Sequence, residues 1–127
     1  GTGLEDLKSR TRAVAHATVQ MAMELNADAI ITPTVSGYTA RIISHYRPKS
    51  LIVAYTPDAK AMRQLNLRWG VYPIKAAGIW PDEGEMIANA TAAAVEQGCV
   101  KRGDLTIITS GIKSEEGNTN AIRVYTI

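Results

Sequence analysis

The chain has 127 residues, enough for one domain with a single core, and its 46% hydrophobic and 20% charged content fits a folded globular protein rather than a disordered one. A formal charge of +2, spread over dispersed Lys and Arg, argues against nucleic acid as a partner. No apolar run approaches the ~18 residues of a membrane span and no secretory leader opens the chain, so no membrane association and a cytoplasmic location are expected.

In chain order, Glu5 to Leu25 reads as a first helix with an apolar stripe of Val14, Thr18, Met21 and Leu25. Ala29 to Thr32 follows as a strand. A small-residue turn then leads into a helix in which Ala40, Ile43 and Tyr46 recur at three-residue spacing, ended by Arg47-Pro48. Leu51 to Tyr55 suits a buried parallel strand. Thr56 is the expected N-cap of the next helix, with Pro57 at its first position, Asp58 complementing the dipole, and Met62 and Leu65 pointing inward. Gly70 marks its exit, Val71 to Ala77 reads as a strand, and Pro81, Asp82 and Glu83 open a helix through Ile87, Ala90 and Ala94 to Gly98 as C′ residue. Leu105 to Thr109 is a strand, Ser110 to Asn120 a polar loop, and Ala121 to Ile127 an alternating terminal strand. Cys99, alone, excludes an internal disulfide or cysteine-based zinc cluster and reads as a half-buried packing residue; His16 and His45 lack metal-ligand spacing.

Strands separated by helices imply a parallel sheet covered on both faces, and the last strand, reached without a helix, should run antiparallel at an edge. Ligands of such sheets sit beyond the carboxyl ends of the strands, where Thr34 to Thr39 and Ser110 to Asn120 would converge. The first of these segments combines a helix N-terminus with the hydroxyls of Thr34, Ser36 and Thr39, a pattern suited to phosphate, and Gly37 lets a ligand approach. Ser36 has a second reading, as a plain helix N-cap with no ligand. Neither a GxxxxGK[ST] nor a GxGxxG string is present.

TPTVSGYTARIISHYRP (32–48), RQLNLRWGVYP (63–73), VKRGD (100–104) and GNTNAIRV (117–124), in this order, resemble the C-terminal domain of pyruvate kinase, especially its bacterial forms. The resemblance covers almost the whole chain and implies an α/β, three-layer α/β/α fold: a five-stranded, mostly parallel sheet with the last strand antiparallel. It makes residues 1–127 a single pyruvate kinase C-terminal-like domain. A start at Gly1-Thr2-Gly3 rather than Met suggests a piece of a longer chain.

In that family the domain is regulatory and contributes to subunit assembly. The preceding barrel, which needs ~250 residues, transfers phosphate from phosphoenolpyruvate to ADP, so this chain alone is expected to be inactive. Mg and K ions are implied for the parent enzyme, with no cofactor and no catalytic residue in this domain. The resemblance assigns the effector's phosphate to Thr34, Val35, Ser36, Gly37, Tyr38 and Thr39, and a mobile effector loop to Ser110 to Asn120, with Gly111, Lys113, Gly117 and Thr119. Relatives activated by sugar bisphosphates hold a second phosphate with a Trp and an Arg. Trp80 stands near the first position, but Met86 stands where the Arg would align. Loss of such a charge-assisted contact costs about 1.5–3 kcal/mol, so AMP or ribose 5-phosphate is favoured over a bisphosphate. Tyr38 is suited to stacking on a base or sugar. The implied partners are this effector, the catalytic barrel and further copies of the domain in a homo-oligomer, formed through the exposed edge of AIRVYTI (121–127). A free-standing domain that senses or acts on a phosphorylated metabolite is the alternative, although the two loops contain no His or Cys for chemistry. A degenerate site with only an interface role is a third reading.

Overall fold

Alternating buried side chains along four strands divide the core in two and set the layers. The computed structural model describes residues 3–78, 82–110 and 121–127. Its elements are α1 (Gly3–Leu25), β1 (Ala29–Pro33), α2 (Tyr38–His45), β2 (Leu51–Thr56), α3 (Ala59–Leu65), β3 (Val71–Lys75), α4 (Glu83–Glu96), β4 (Leu105–Ser110) and β5 (Ala121–Thr126). The five strands form one sheet in the order β3-β2-β1-β4-β5. The first four are parallel, and β5 pairs antiparallel with β4 from Leu105↔Thr126 to Ser110↔Ala121. The expected architecture, with the antiparallel strand at an edge, is the one observed.

Ile30, Ile52, Ala54 and Ile107 face one side of the sheet, where Ala15, Val19 and Ala22 of α1, Ala40 and Ile43 of α2 and Leu65 of α3 pack on them. Ala29, Ile31, Val53, Tyr55 and Ile108 face the other side, against Met86, Ile87, Ala90 and Ala94 of α4. Strand residues of opposite parity thus feed opposite layers, as a period-two side-chain pattern requires. Among the described residues, three helices cover one face and one covers the other.

Several local expectations are corrected. The buried stripe of α1 is Thr11, Ala15, Thr18, Val19 and Ala22, not Val14, Met21 and Leu25, and Leu25 is exposed. Small side chains let α1 approach the sheet and α2 closely, and Thr18 settles its hydroxyl on the Val14 carbonyl at 2.7 Å. Tyr46 is an exposed C-cap rather than part of the α2 core stripe. Asp58, not Thr56, caps α3, accepting from the Lys60 amide at 2.9 Å; Pro57 therefore precedes the cap. Thr56 instead accepts from the Asp58 amide and donates to the Val35 carbonyl. β3 ends at Lys75, two residues earlier than its hydrophobicity suggests, although Ala76 still donates to the Thr56 carbonyl at 2.7 Å. Gly98, at φ +77°, follows the Gln97 C-cap of α4 and is the anticipated C′ residue.

Candidate functional site

The chain runs from β1 outward to β2 and β3, then returns through α4 to β4 on the other side of β1. The carboxyl ends of β1 and β4 are therefore the place where successive connections depart in opposite directions, the switch point at which α/β sheets bind ligands. Two buried hydroxyls join the strands there, with Thr109 Oγ1 donating to Thr32 Oγ1 at 2.9 Å.

From the end of β1 the backbone makes the turn that the sequence picked out. Thr34 donates its amide to the Tyr55 carbonyl at 2.9 Å, and its hydroxyl accepts from the Gly37 amide at 3.1 Å. Ser36 Oγ accepts from the Tyr38 amide at 3.3 Å, and Thr56 Oγ1 fixes the Val35 carbonyl at 3.0 Å. Gly37, not Ser36, is the N-cap of α2 and has no side chain to cap with, while Ser36 Oγ, one residue earlier, takes the amide of the first helical residue. The plain N-cap reading of Ser36 is thereby corrected. Gly37 adopts φ +87°, and a Cβ there would lie 3.3 Å from the Leu65 side chain. Backbone conformation and packing against α3 thus explain this glycine without a ligand.

Thr34, Thr39 and Gly37 are buried, whereas Val35, Ser36 and Tyr38 are half-buried and open the turn to solvent. The structure brings all six residues of the first segment together. Trp80, Gly111, Lys113, Gly117 and Thr119 lie outside the described residues. For the loop from 111 to 120, the flanking Ser110 and Ala121 are placed, paired across β4 and β5. Both flanks are tied to α4: Glu83 Oε1 accepts from Ser110 Oγ at 2.8 Å and from Arg123 Nη2 at 3.3 Å.

Three cations that the sequence reading passed over gather at Tyr38, the first residue of α2. Lys8 Nζ and Arg41 Cζ lie 5.5 and 5.7 Å from the ring centroid, and Arg12 Nη1 donates to the phenolic oxygen at 3.3 Å. The available signal was the i, i+4 spacing of Lys8 and Arg12 on one face of α1, and Arg41 one turn beyond Tyr38. Met86 is completely buried among the α4 core residues and presents nothing to solvent. Cys99 is half-buried against the same core, and burial raises its thiol pKa, which keeps it protonated and unreactive near neutrality. Among the described residues, no three His, Cys, Asp or Glu side chains could share a metal ion, and no helix is long and apolar enough to cross a membrane. A cleft of about 290 Å³ lined by Met23, Asn26, Tyr46, Arg47 and Lys49 sits at the opposite, amino end of the strands.

Comparison with known proteins agrees with this fold. Residues 12–125 match the family model described as pyruvate kinase, alpha/beta domain. The chain is 41% identical over 120 residues to the pyruvate kinase of Staphylococcus saprophyticus, covering 94% of this chain and 20% of that protein. It is 42% identical over 118 residues to the pyruvate kinase of Geobacillus stearothermophilus, covering 92% of this chain and 20% of the relative. It thus spans about a fifth of the length of these curated relatives. With a family match that takes in the turn, the sheet and all but the outer ends of the chain, the protein belongs to the pyruvate kinase family as its C-terminal alpha/beta domain.

Proposed function

We propose that this domain is the regulatory and assembly part of a pyruvate kinase whose catalytic barrel transfers phosphate from phosphoenolpyruvate to ADP, and that it binds a phosphorylated effector at the turn formed by residues 34–39. On this reading the Mg and K ions of the reaction belong to the barrel, and the domain itself performs no chemistry. The observation that carries the effector site is the start of α2: a helix N-terminus capped by a glycine, with the hydroxyls of Thr34 and Ser36 held at it by the Gly37 and Tyr38 amides, at the switch point between β1 and β4. Helix-terminal amides and hydroxyls can orient phosphate oxygens. A monophosphate such as AMP or ribose 5-phosphate is the favoured effector because Met86 stands where the relatives' second-phosphate Arg would align, and Met carries no charge.

Thermal unfolding of the chain with AMP, ribose 5-phosphate, glucose 6-phosphate, fructose 1,6-bisphosphate or inorganic phosphate tests this reading. A ligand present at about 100 times its Kd adds ~2.7 kcal/mol of stability and raises the midpoint by several degrees. The expected result is a shift with a monophosphate that disappears in Ser36→Ala. A shift of equal size in Ser36→Ala would remove the site from the turn.

A further inference from the structure

Resting on the effector reading above, we propose that Lys8, Arg12 and Arg41 are the cationic part of the effector site, a platform assembled on Tyr38 that takes the charge of the phosphate seated at the turn. Tyr38 directly follows the Gly37 cap, so groups gathered on its ring lie beside the open start of α2. Lys8 and Arg41 lie over the ring at 5.5 and 5.7 Å, and Arg12 reaches its hydroxyl at 3.3 Å. Long side chains on a helix lean towards its N-terminus, which directs Arg41 from the second turn of α2 back to the first.

In the unliganded protein the three cations are held at one half-buried ring by cation–π contact and a hydrogen bond to the phenolic oxygen. Arg41 Nε is moreover buried without a hydrogen-bond partner. A phosphate monoester at the turn would supply the counter-charge to this cluster, since guanidinium groups donate strongly to its oxygens. The turn's hydroxyls and amides are neutral and orient the phosphate; the platform matches its charge. Two of the three cations come from α1, so effector binding would engage this helix as well as α2.

Titration calorimetry of the 127-residue chain tests the proposal, with AMP, ribose 5-phosphate and inorganic phosphate at low and high salt. Glu5 stands one turn before Lys8 on α1, so Arg12→Gln and Arg41→Gln are the informative variants, beside Ser36→Ala and the distant exposed Arg102→Gln. Each of the two platform variants should weaken binding about tenfold or more and flatten its salt dependence, while Arg102→Gln leaves both unchanged. Their unliganded melting midpoints should stay close to that of the parent chain, and Arg12→Lys should recover part of the affinity. Wild-type affinity in Arg12→Gln and Arg41→Gln, with binding lost in Ser36→Ala, would overturn the platform and leave the turn standing. Failure of the parent chain to bind all three probes would overturn both.

Discussion

Gly37 shows how one residue serves backbone and packing together. Its φ of +87° lies in the left-handed region, and the position of a missing Cβ is met at 3.3 Å by Leu65 of α3. Gly37→Ala should therefore destabilise the domain by about 1–2 kcal/mol, read as a lower urea midpoint with an unchanged slope. The same variant shifts the start of α2, so effector binding should weaken with it. Asp104 offers a pH test. Its Oδ2 accepts the Lys101 amide at 2.9 Å, which, reinforced by the Lys101 ammonium at 3.2 Å, lowers its pKa below the ordinary carboxylate value. A carboxyl lowered in the folded state binds fewer protons folded than unfolded, so its contribution is present above about pH 4 and is lost as pH falls through the lowered value. Asp104→Asn should be less stable than the parent chain at neutral pH, with the difference closing in acid, when melting midpoints are compared from pH 7 downward. The hydroxyls of the turn are legible from residue type, because Thr and Ser are favoured beside a helix start, whether as caps or as ligands to an anion. The cations around Tyr38 are not, since nothing local brings Lys8 and Arg12 to a residue 26 or more positions away.

At the scale of elements, both ends of α4 and its buried face of Ile87, Ala90 and Ala94 follow from local sequence. Asp82 caps α4 through a 2.7 Å bond from the Glu85 amide, and Gly98 stands just beyond its other end. Asp82→Ala should cost about 1 kcal/mol, measurable by denaturant unfolding, and should loosen the start of α4, where Glu83 holds Ser110 and Arg123. Capping depends on a few consecutive residues, and short-range chemistry is therefore visible in sequence. The buried face of α1 was misread because it was traced through large apolar residues. Contact with the sheet is made instead by Ala15, Val19 and Ala22, with Thr11 and Thr18 buried on the same face, and these small side chains set how closely the helix can approach. At α3 the expected cap, Thr56, gives way to Asp58. The Thr56 hydroxyl was taken up by the Val35 carbonyl in the neighbouring loop, a contact 21 residues away.

In the whole molecule, the order β3-β2-β1-β4-β5 leaves β5 at one edge, with Val124 47% exposed and the other edge of the sheet formed by β3. An edge of this kind offers unpaired backbone groups to a second strand. The assembly reading predicts a dimer of the chain at tens of micromolar by sedimentation equilibrium, shifted towards monomer by Val124→Asp. A monomer throughout that range would remove β5 as a self-sufficient interface. The sequence by itself determined the α/β class, the number of strands and their succession along the chain, the antiparallel last strand and the turn that opens α2, because periodicity, glycine placement and connection length are local properties of the chain. Only the tertiary structure decided which face of α1 is buried, that Leu65 fills the space over Gly37, that Met86 is core, and that Lys8, Arg12 and Arg41 meet on one ring. Each of these joins residues from different elements, and such contacts arise from how the layers pack on the sheet rather than from the pattern of any one segment.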